Sequence, residues 1–136
     1  MAMTDAQVDE LLSAPMVSVI ATVDAAGMPA QSPVWHLWRD GAAFVLVSRT
    51  SRKWRNLQRN PNVSLCVDTK TAPYRAAIVE GVASEDDTDY GNLLLEAAVH
   101  YLGESRGKAY ADRSTATNED SVVVRIEPKR IISWAY

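Results

Sequence analysis

Five basic residues, Arg49, Arg52, Lys53, Arg55 and Arg59, fall in one acid-free run of a chain whose overall formal charge is -3. Three hydroxyls, Ser48, Thr50 and Ser51, sit at its start. If Ser51 caps a helix, rotation by about 100° per residue places Trp54 and Leu57 on one face and Arg52, Arg55 and Arg59 on the opposite one, with Lys53 and Asn56 on the flank. The apolar side would anchor such a helix. Its first turn would gather hydroxyls, free backbone N–H groups and a lysine, the combination that holds a phosphate. On composition alone a run of arginines is a solvated face or a weak polyanion patch. The context of a strand end, hydroxyls and a helix start favours the phosphate site.

The segment Ala30 to Trp38, AQSPVWHLW, precedes that run. Strand alternation puts Ser32, Val34, His36 and Trp38 on one side and Gln31, Pro33, Trp35 and Leu37 on the other, so both faces are heavy. Pro33 cannot donate to a ladder and predicts an edge or an interruption, with neighbouring backbone groups free for a ligand. Trp35 and Trp38 could wall a flat aromatic site; for either one alone, a place in the core or a dimer interface is the better reading. His36 has no acid or nucleophile near it in sequence and reads as a packed, hydrogen-bonded imidazole. No Ser-His-Asp order, H-E-x-x-H or Cys-His pairing appears elsewhere. The single cysteine, Cys66, excludes an internal disulfide and a Cys-based zinc cluster, and His36 and His100 lack metal-ligand spacing. A chain with binding residues and no catalytic set suits a protein that orients a cofactor and leaves the electron transfer to it.

The elements that must position these residues can be read from hydrophobic period and turn chemistry. Thr4 caps a helix with Val8, Leu11 and Leu12 on one face, ended by Pro15. Strands are predicted over Met16 to Val23, Ala30 to Trp38, Ala42 to Ser48, Val63 to Val67, Ala76 to Ala83, Ser121 to Ile126 and Arg130 to Trp134. Gly27 and Asp40-Gly41 mark tight hairpin turns, and Glu127-Pro128 marks a further turn. A long helix is predicted over Glu85 to Tyr101, ending at Gly103, followed by a partly helical stretch. Hairpins with helices inserted only in places disfavour a doubly wound parallel sheet, and neither G-x-G-x-x-G nor Walker A occurs. The expectation is one domain over residues 1–136, mainly β, an antiparallel barrel with helices outside.

Length and composition agree. At 136 residues, 47% hydrophobic and 23% charged, the chain buries roughly 65 to 70% of its unfolded surface without staples. With 14 basic and 17 acidic residues it is not built for nucleic acid or an anionic membrane. The sequence indicates neither secretion nor membrane spanning, and a reducing, cytoplasmic setting is expected.

SPVWHLWRDG, SRTSRKWRNLQRNPNVSLCVD before a strand, and APYRAAIVEGVAS together resemble the pyridoxamine 5'-phosphate oxidase-like split-barrel superfamily, and more closely its small deazaflavin-dependent branch. The resemblance runs from about Val8 to Trp134. It implies a six-stranded split barrel with flanking helices, a homodimer, and two cofactor sites at the dimer interface. It sets the cofactor phosphate against Thr50, Ser51, Arg52 and Lys53, with Ser48 and Asn56 beside them, and the ring along Gln31, Ser32, Pro33 and Val34. The other subunit contributes from Asp68 to Arg75, with Pro73, Tyr74 and Arg75 as its site residues. Two departures stand out: the chain ends in RIISWAY where true pyridoxamine phosphate oxidases carry Arg-Leu-x-Pro, and His36 stands where relatives carry Phe or Tyr. The expected function is an oxidoreductase passing a hydride from reduced deazaflavin coenzyme F-420 to an unsaturated organic acceptor, since a tail with a phosphate and several carboxylates suits five cations. The alternatives are an FMN-binding oxidoreductase of the same fold and a non-catalytic cofactor-binding protein.

Overall fold

A computed structural model describes all 136 residues. Thr4 caps α1 (Asp5–Ser13) through a capping box: its hydroxyl accepts from the Gln7 amide at 3.2 Å, and the Gln7 side chain accepts from the Thr4 amide at 2.9 Å. β1 (Ser18–Val23) and β2 (Pro29–Val34) form a hairpin whose turn is tied by Asp24, which accepts from the amides of Ala26 and Met28. β3 (His36–Arg39) and β4 (Ala42–Ser48) form the next, and the turn needs positive φ at both Asp40 (53°) and Gly41 (71°), as the Asp-Gly pair predicts. The remaining elements are α2 (Arg52–Arg59), β5 (Asn62–Asp68), β6 (Arg75–Asp86), α3 (Tyr90–Leu102), α4 (Glu104–Arg113) and β7 (Ser121–Ala135). No helix is long and apolar enough to cross a membrane.

The strands make one antiparallel sheet in the order β2-β1-β5-β6-β7-β4-β3. β2 and β3 stand at opposite ends of that order yet are joined through Trp35 alone, so the sheet curls until its edges meet within one or two residues. The expected strand over residues 30–38 is therefore one run of chain broken at Trp35. With it counted once, the barrel has the six strands implied by the resemblance.

Alternation survives the break. His36 is buried, and Val34 and Trp38 pack against the inner core with Ile20, Val45, Leu65, Val79 and Val124. α1 and α2 enter that core from opposite mouths, α1 with Leu11 and Leu12, α2 with Trp54 and Leu57. On the outside, Leu37, Val123, Trp35, Phe44 and Leu46 meet Leu93 and Ala97 of α3. The outer heavy face of residues 30–38 is thus covered within the chain by α3.

Two element boundaries differ from expectation. The long helix starts at Tyr90, capped by Asp89, because β6 stays paired with β7 as far as Asp86 opposite Val123. Glu127-Pro128 makes no turn: β7 runs through it, with Pro128 opposite Gly81, and a bulge beside it leaves Lys129 without a partner on β6. The bulge brings the Glu127 carbonyl so close that a Cβ on Gly81 would lie 2.2 Å from its oxygen, which explains the glycine in the V-E-G-x-A strand.

Candidate functional site

Ser51 caps α2 as predicted, its hydroxyl accepting from the Trp54 amide at 3.2 Å and donating to the Ser48 carbonyl at 2.7 Å. That hydroxyl is fully employed in the cap. Ser48 and Thr50 share one bond between their hydroxyls, at 3.0 Å, and both are exposed. The backbone amides of Arg52 and Lys53 find no acceptor in the chain, the usual condition of a helix's first turn.

The five cations divide. Arg49 forms a two-pronged pair with Glu85 at 3.1 Å and also donates to the Asn118 carbonyl. The bond from Arg49 holds the Glu85 carboxyl below its ordinary range. Arg55 donates to the Thr50 carbonyl at 2.8 Å, and Arg59 to the Asn56 side chain at 3.4 Å. Arg52 reaches Asp24 at 3.1 Å, a largely solvated contact on the arginine side. The Asp24 carboxyl is lowered first by the Met28 amide and then, among other contacts, by Arg52. Only Lys53 has no partner within the chain.

Lys53, Arg52, Gln31 and Ser32 meet at one small cleft of about 120 Å³, completed by Ile20, Thr22 and Ala30. It opens where the free edge of β2 faces the start of α2. The sequence singled out the first four; the other three follow from register, because Ser32 pairs with Ile20 and Ala30 with Thr22. Pro33 and Val34 line a neighbouring depression with Val17 and Trp35. Asn56, expected beside the phosphate, is instead buried at 2% exposure, where its side-chain amide donates to the Thr22 hydroxyl at 3.0 Å. It ties α2 to β1.

Pro73, Tyr74 and Arg75 lie at the other mouth of the barrel. β5 and β6 separate that end from α2 by about 20 Å at 3.3 Å per residue. There Arg75 approaches Glu10 of α1 at 3.7 Å, and the exposed Tyr74 meets Tyr136 edge to face. One chain does not bring them to the cleft.

At the same far mouth, His36 is fully partnered. Its Nε2 lies 2.7 Å from the Leu12 carbonyl, which only accepts, so Nε2 carries the proton and Nδ1 accepts from the Ser18 hydroxyl at 2.9 Å. The Tyr101 hydroxyl accepts from the His36 amide at 3.1 Å and donates to the Met16 carbonyl at 3.0 Å. Burial pushes the imidazole below its usual pKa, helped by His100 nearby. Burial, and then the Asp68 carboxylate, push the Cys66 thiol up.

The family model described as pyridoxamine 5'-phosphate oxidase matches residues 4–135. A conserved hypothetical protein of Mycobacterium tuberculosis is similar in structure, with 25% identity, coverage of 99% of this chain and 86% of that one, and a TM-score of 0.78. An F420 reductase is 26% identical, covering 90% of this chain and 94% of its own, with a TM-score of 0.73. A FAD-binding protein from Mesorhizobium loti, 18% identical, shares the fold over 100% of this chain and 97% of that one, also with a TM-score of 0.73. Among curated proteins none matches.

Proposed function

We propose, for a chain that belongs to the pyridoxamine 5'-phosphate oxidase family, that it binds reduced coenzyme F-420 at the cleft between β2 and α2 and passes its hydride to an unsaturated organic acceptor. The observation that carries this reading is the set of unsatisfied donors at the α2 start. The amides of Arg52 and Lys53 and the Lys53 ammonium have no acceptor in the chain, and they border the cleft that Gln31 and Ser32 line. A phosphate there would complete them all. The F420 reductase at 26% identity supports the choice of cofactor.

When bound, F-420 supplies a hydride from the central carbon of its deazaflavin ring. The chain's own work is placement. Lys53 and the helix start would hold the phosphate, Ser48 and Thr50 would offer it exposed hydroxyls, and Arg52 would exchange its solvated contact with Asp24 for one to the cofactor tail. Gln31, Ser32, Pro33 and Val34 would border the ring and limit where an acceptor can approach it. The anchoring of α2 by Trp54, Leu57 and Asn56 keeps the phosphate donors in register with β2.

The proposed state is a homodimer, with Pro73, Tyr74 and Arg75 of a second copy reaching each cleft. Two features support it. Those residues stand about 20 Å from the α2 end within one chain, and α3 and α4 leave bare the outer face of β1, β5 and β6, where Val19, Cys66, Ile78 and Ile132 form a cross-strand apolar row. An uncovered apolar face of this kind suits an isologous contact.

A flavin mononucleotide reading has one observation in its favour. Arg49, Arg55 and Arg59 are engaged inside the chain, so the cations left for a cofactor are Lys53 and Arg52, enough for a single phosphate. Titration of the purified protein with F-420, FMN and pyridoxal phosphate separates the two. Micromolar or tighter binding of F-420 alone is expected; preference for FMN, with flavin absorbance in the purified protein, would replace the reading.

A further inference from the structure

Where α3 begins and α4 ends, a hollow of about 290 Å³ is lined by Tyr90, Leu94, Tyr110, Arg113 and Ser114. We propose that it binds a small aromatic monocarboxylate, with the ring between the two tyrosines and the carboxylate on Arg113. The inference depends on neither the cofactor nor the dimer, since none of these residues borders the β2–α2 cleft or belongs to β1, β5 or β6.

The polar lining is a set of donors short of an acceptor. Neither the Arg113 guanidinium nor the Tyr110 hydroxyl has a hydrogen-bond or ion-pair partner in the chain. The Ser114 hydroxyl accepts from the Ala116 amide at 3.2 Å, which leaves its own proton unspent. A ligand that completes this set must bring oxygen acceptors, and a planar carboxylate matches the guanidinium fork with two parallel bonds. The nearby acids limit its charge. Asp112 adjoins Arg113 in sequence, and Asp120, close to Tyr90, is spent on the Thr117 amide and the Ser121 hydroxyl. One cation among them balances a single negative charge and disfavours a phosphate dianion. Leu94, 7% exposed, and the two phenol rings supply apolar and aromatic lining. The volume lies at the lower end of ligand pockets, about 300–1,000 Å³, and admits a single ring.

The walls are held before any ligand arrives. Tyr110 is 43% exposed, yet its ring packs on Trp35 at 5.3 Å between centroids. The two helices close tightly at Gly107, where a Cβ would lie 2.5 Å from the Val99 backbone. Tyr90 opens α3 directly after its Asp89 cap, and its amide donates to the Asn118 side chain at 2.7 Å. Walls fixed in this way lose little freedom when a ring docks between them. Packing accounts for Tyr90 and Leu94 on α3 and for Tyr110 against Trp35. It gives Arg113 no task beyond the general attraction of a last-turn cation for a helix C-terminus.

The test is calorimetric titration of the protein with benzoate, with its neutral counterpart benzamide, and with the non-aromatic cyclohexanecarboxylate. Benzoate should bind about fivefold or more tighter than either counterpart. Arg113→Gln changes an exposed side chain and should leave melting unchanged while weakening benzoate about tenfold, to the level of benzamide. Tyr110→Phe keeps the ring and should lose no more than about threefold, whereas Tyr110→Ser should lose about tenfold. Absence of saturation by about 10 mM benzoate overturns the proposal. So does equal binding of benzamide or cyclohexanecarboxylate, or benzoate affinity untouched by Arg113→Gln. Benzoate binding that is lost in Lys53→Ala and kept in Arg113→Gln would belong to the phosphate cleft and overturns the proposal as well.

Discussion

The two mouths of this barrel are each closed by a short helix, and they treat polar groups in opposite ways. At the α1 mouth, His36 is 2% exposed with both ring nitrogens and its amide partnered, tying α1, β1 and α3 to the β2–β3 junction. At the α2 mouth the interior is satisfied, with Asn56 bonded to Thr22, while the outward turn keeps two amides and Lys53 without acceptors. Buried donors that lack partners cost about 1–3 kcal/mol each, so a fold completes them internally; exposed ones are hydrated at little cost and stay open to a ligand. The first mouth is closed internally, and the second is the one proposed to bind a cofactor.

The sharpest way to break this contrast is within α2, whose two sides should fail differently. Trp54→Ala removes the buried anchor of the helix and should destabilise the protein by about 3–5 kcal/mol in denaturant melts. Wild-type melting with lost cofactor binding would mean that the buried and binding sides of the helix are reversed. Lys53→Ala should leave melting unchanged and weaken the cofactor by about 1.5–3 kcal/mol, the worth of a charge-assisted phosphate contact. An unchanged dissociation constant for F-420, FMN and pyridoxal phosphate alike would remove the phosphate site.

At the other mouth the expected effect is smaller and depends on pH. The folded protein holds His36 below its ordinary pKa of 6.5, mainly by burial, so between that value and the lower folded one the unfolded chain binds more protons. The stability it contributes is therefore complete above about pH 6.5 and is lost as pH falls through the folded value. Tyr101 and His100 are titratable groups beside it, and the nearest carboxylate on α1, Asp9, is engaged by the Trp38 indole. His36→Gln, whose amide can donate to Leu12 and accept from Ser18, should flatten the acid side of the stability profile. An identical slope in the two proteins would place the titrating group elsewhere.

These differences also mark how far the sequence could be read. The cap at Ser51, the Trp54/Leu57 face and the Asp40-Gly41 turn depend on neighbours within a few residues, and they stand as predicted. Asn56 could not be placed on the interior side without knowing that Thr22, 34 positions away, turns inward beneath it. The charge run looked fully available because its partners, Asp24 and Glu85, are remote in sequence. The second heavy face of residues 30–38, with Trp35 and Leu37, could not be given a partner from sequence because the cover of α3 is a tertiary fact. The strand through Pro128 was hidden because a bulge opposite Gly81 is set by the partner strand.

The mildest test bears on whether the two mouths ever work together. Within one chain Lys53 and Tyr74 belong to opposite ends, so a shared cleft needs the α2 mouth of one copy beside the far end of another. Lys53→Ala and Tyr74→Ala would then damage contributions from different subunits to the same cleft. Mixed after mild dissociation and reassociation, the two variants should form heterodimers in which one cleft carries both lesions and the other carries none. Random pairing makes half the dimers mixed, so roughly a quarter of the clefts should regain wild-type affinity. That fraction is small but readable, since neither parent dimer contains an intact cleft. Heterodimers with no recovered binding, or a monomer by ultracentrifugation at micromolar concentration, would leave the α2 mouth to bind its cofactor alone.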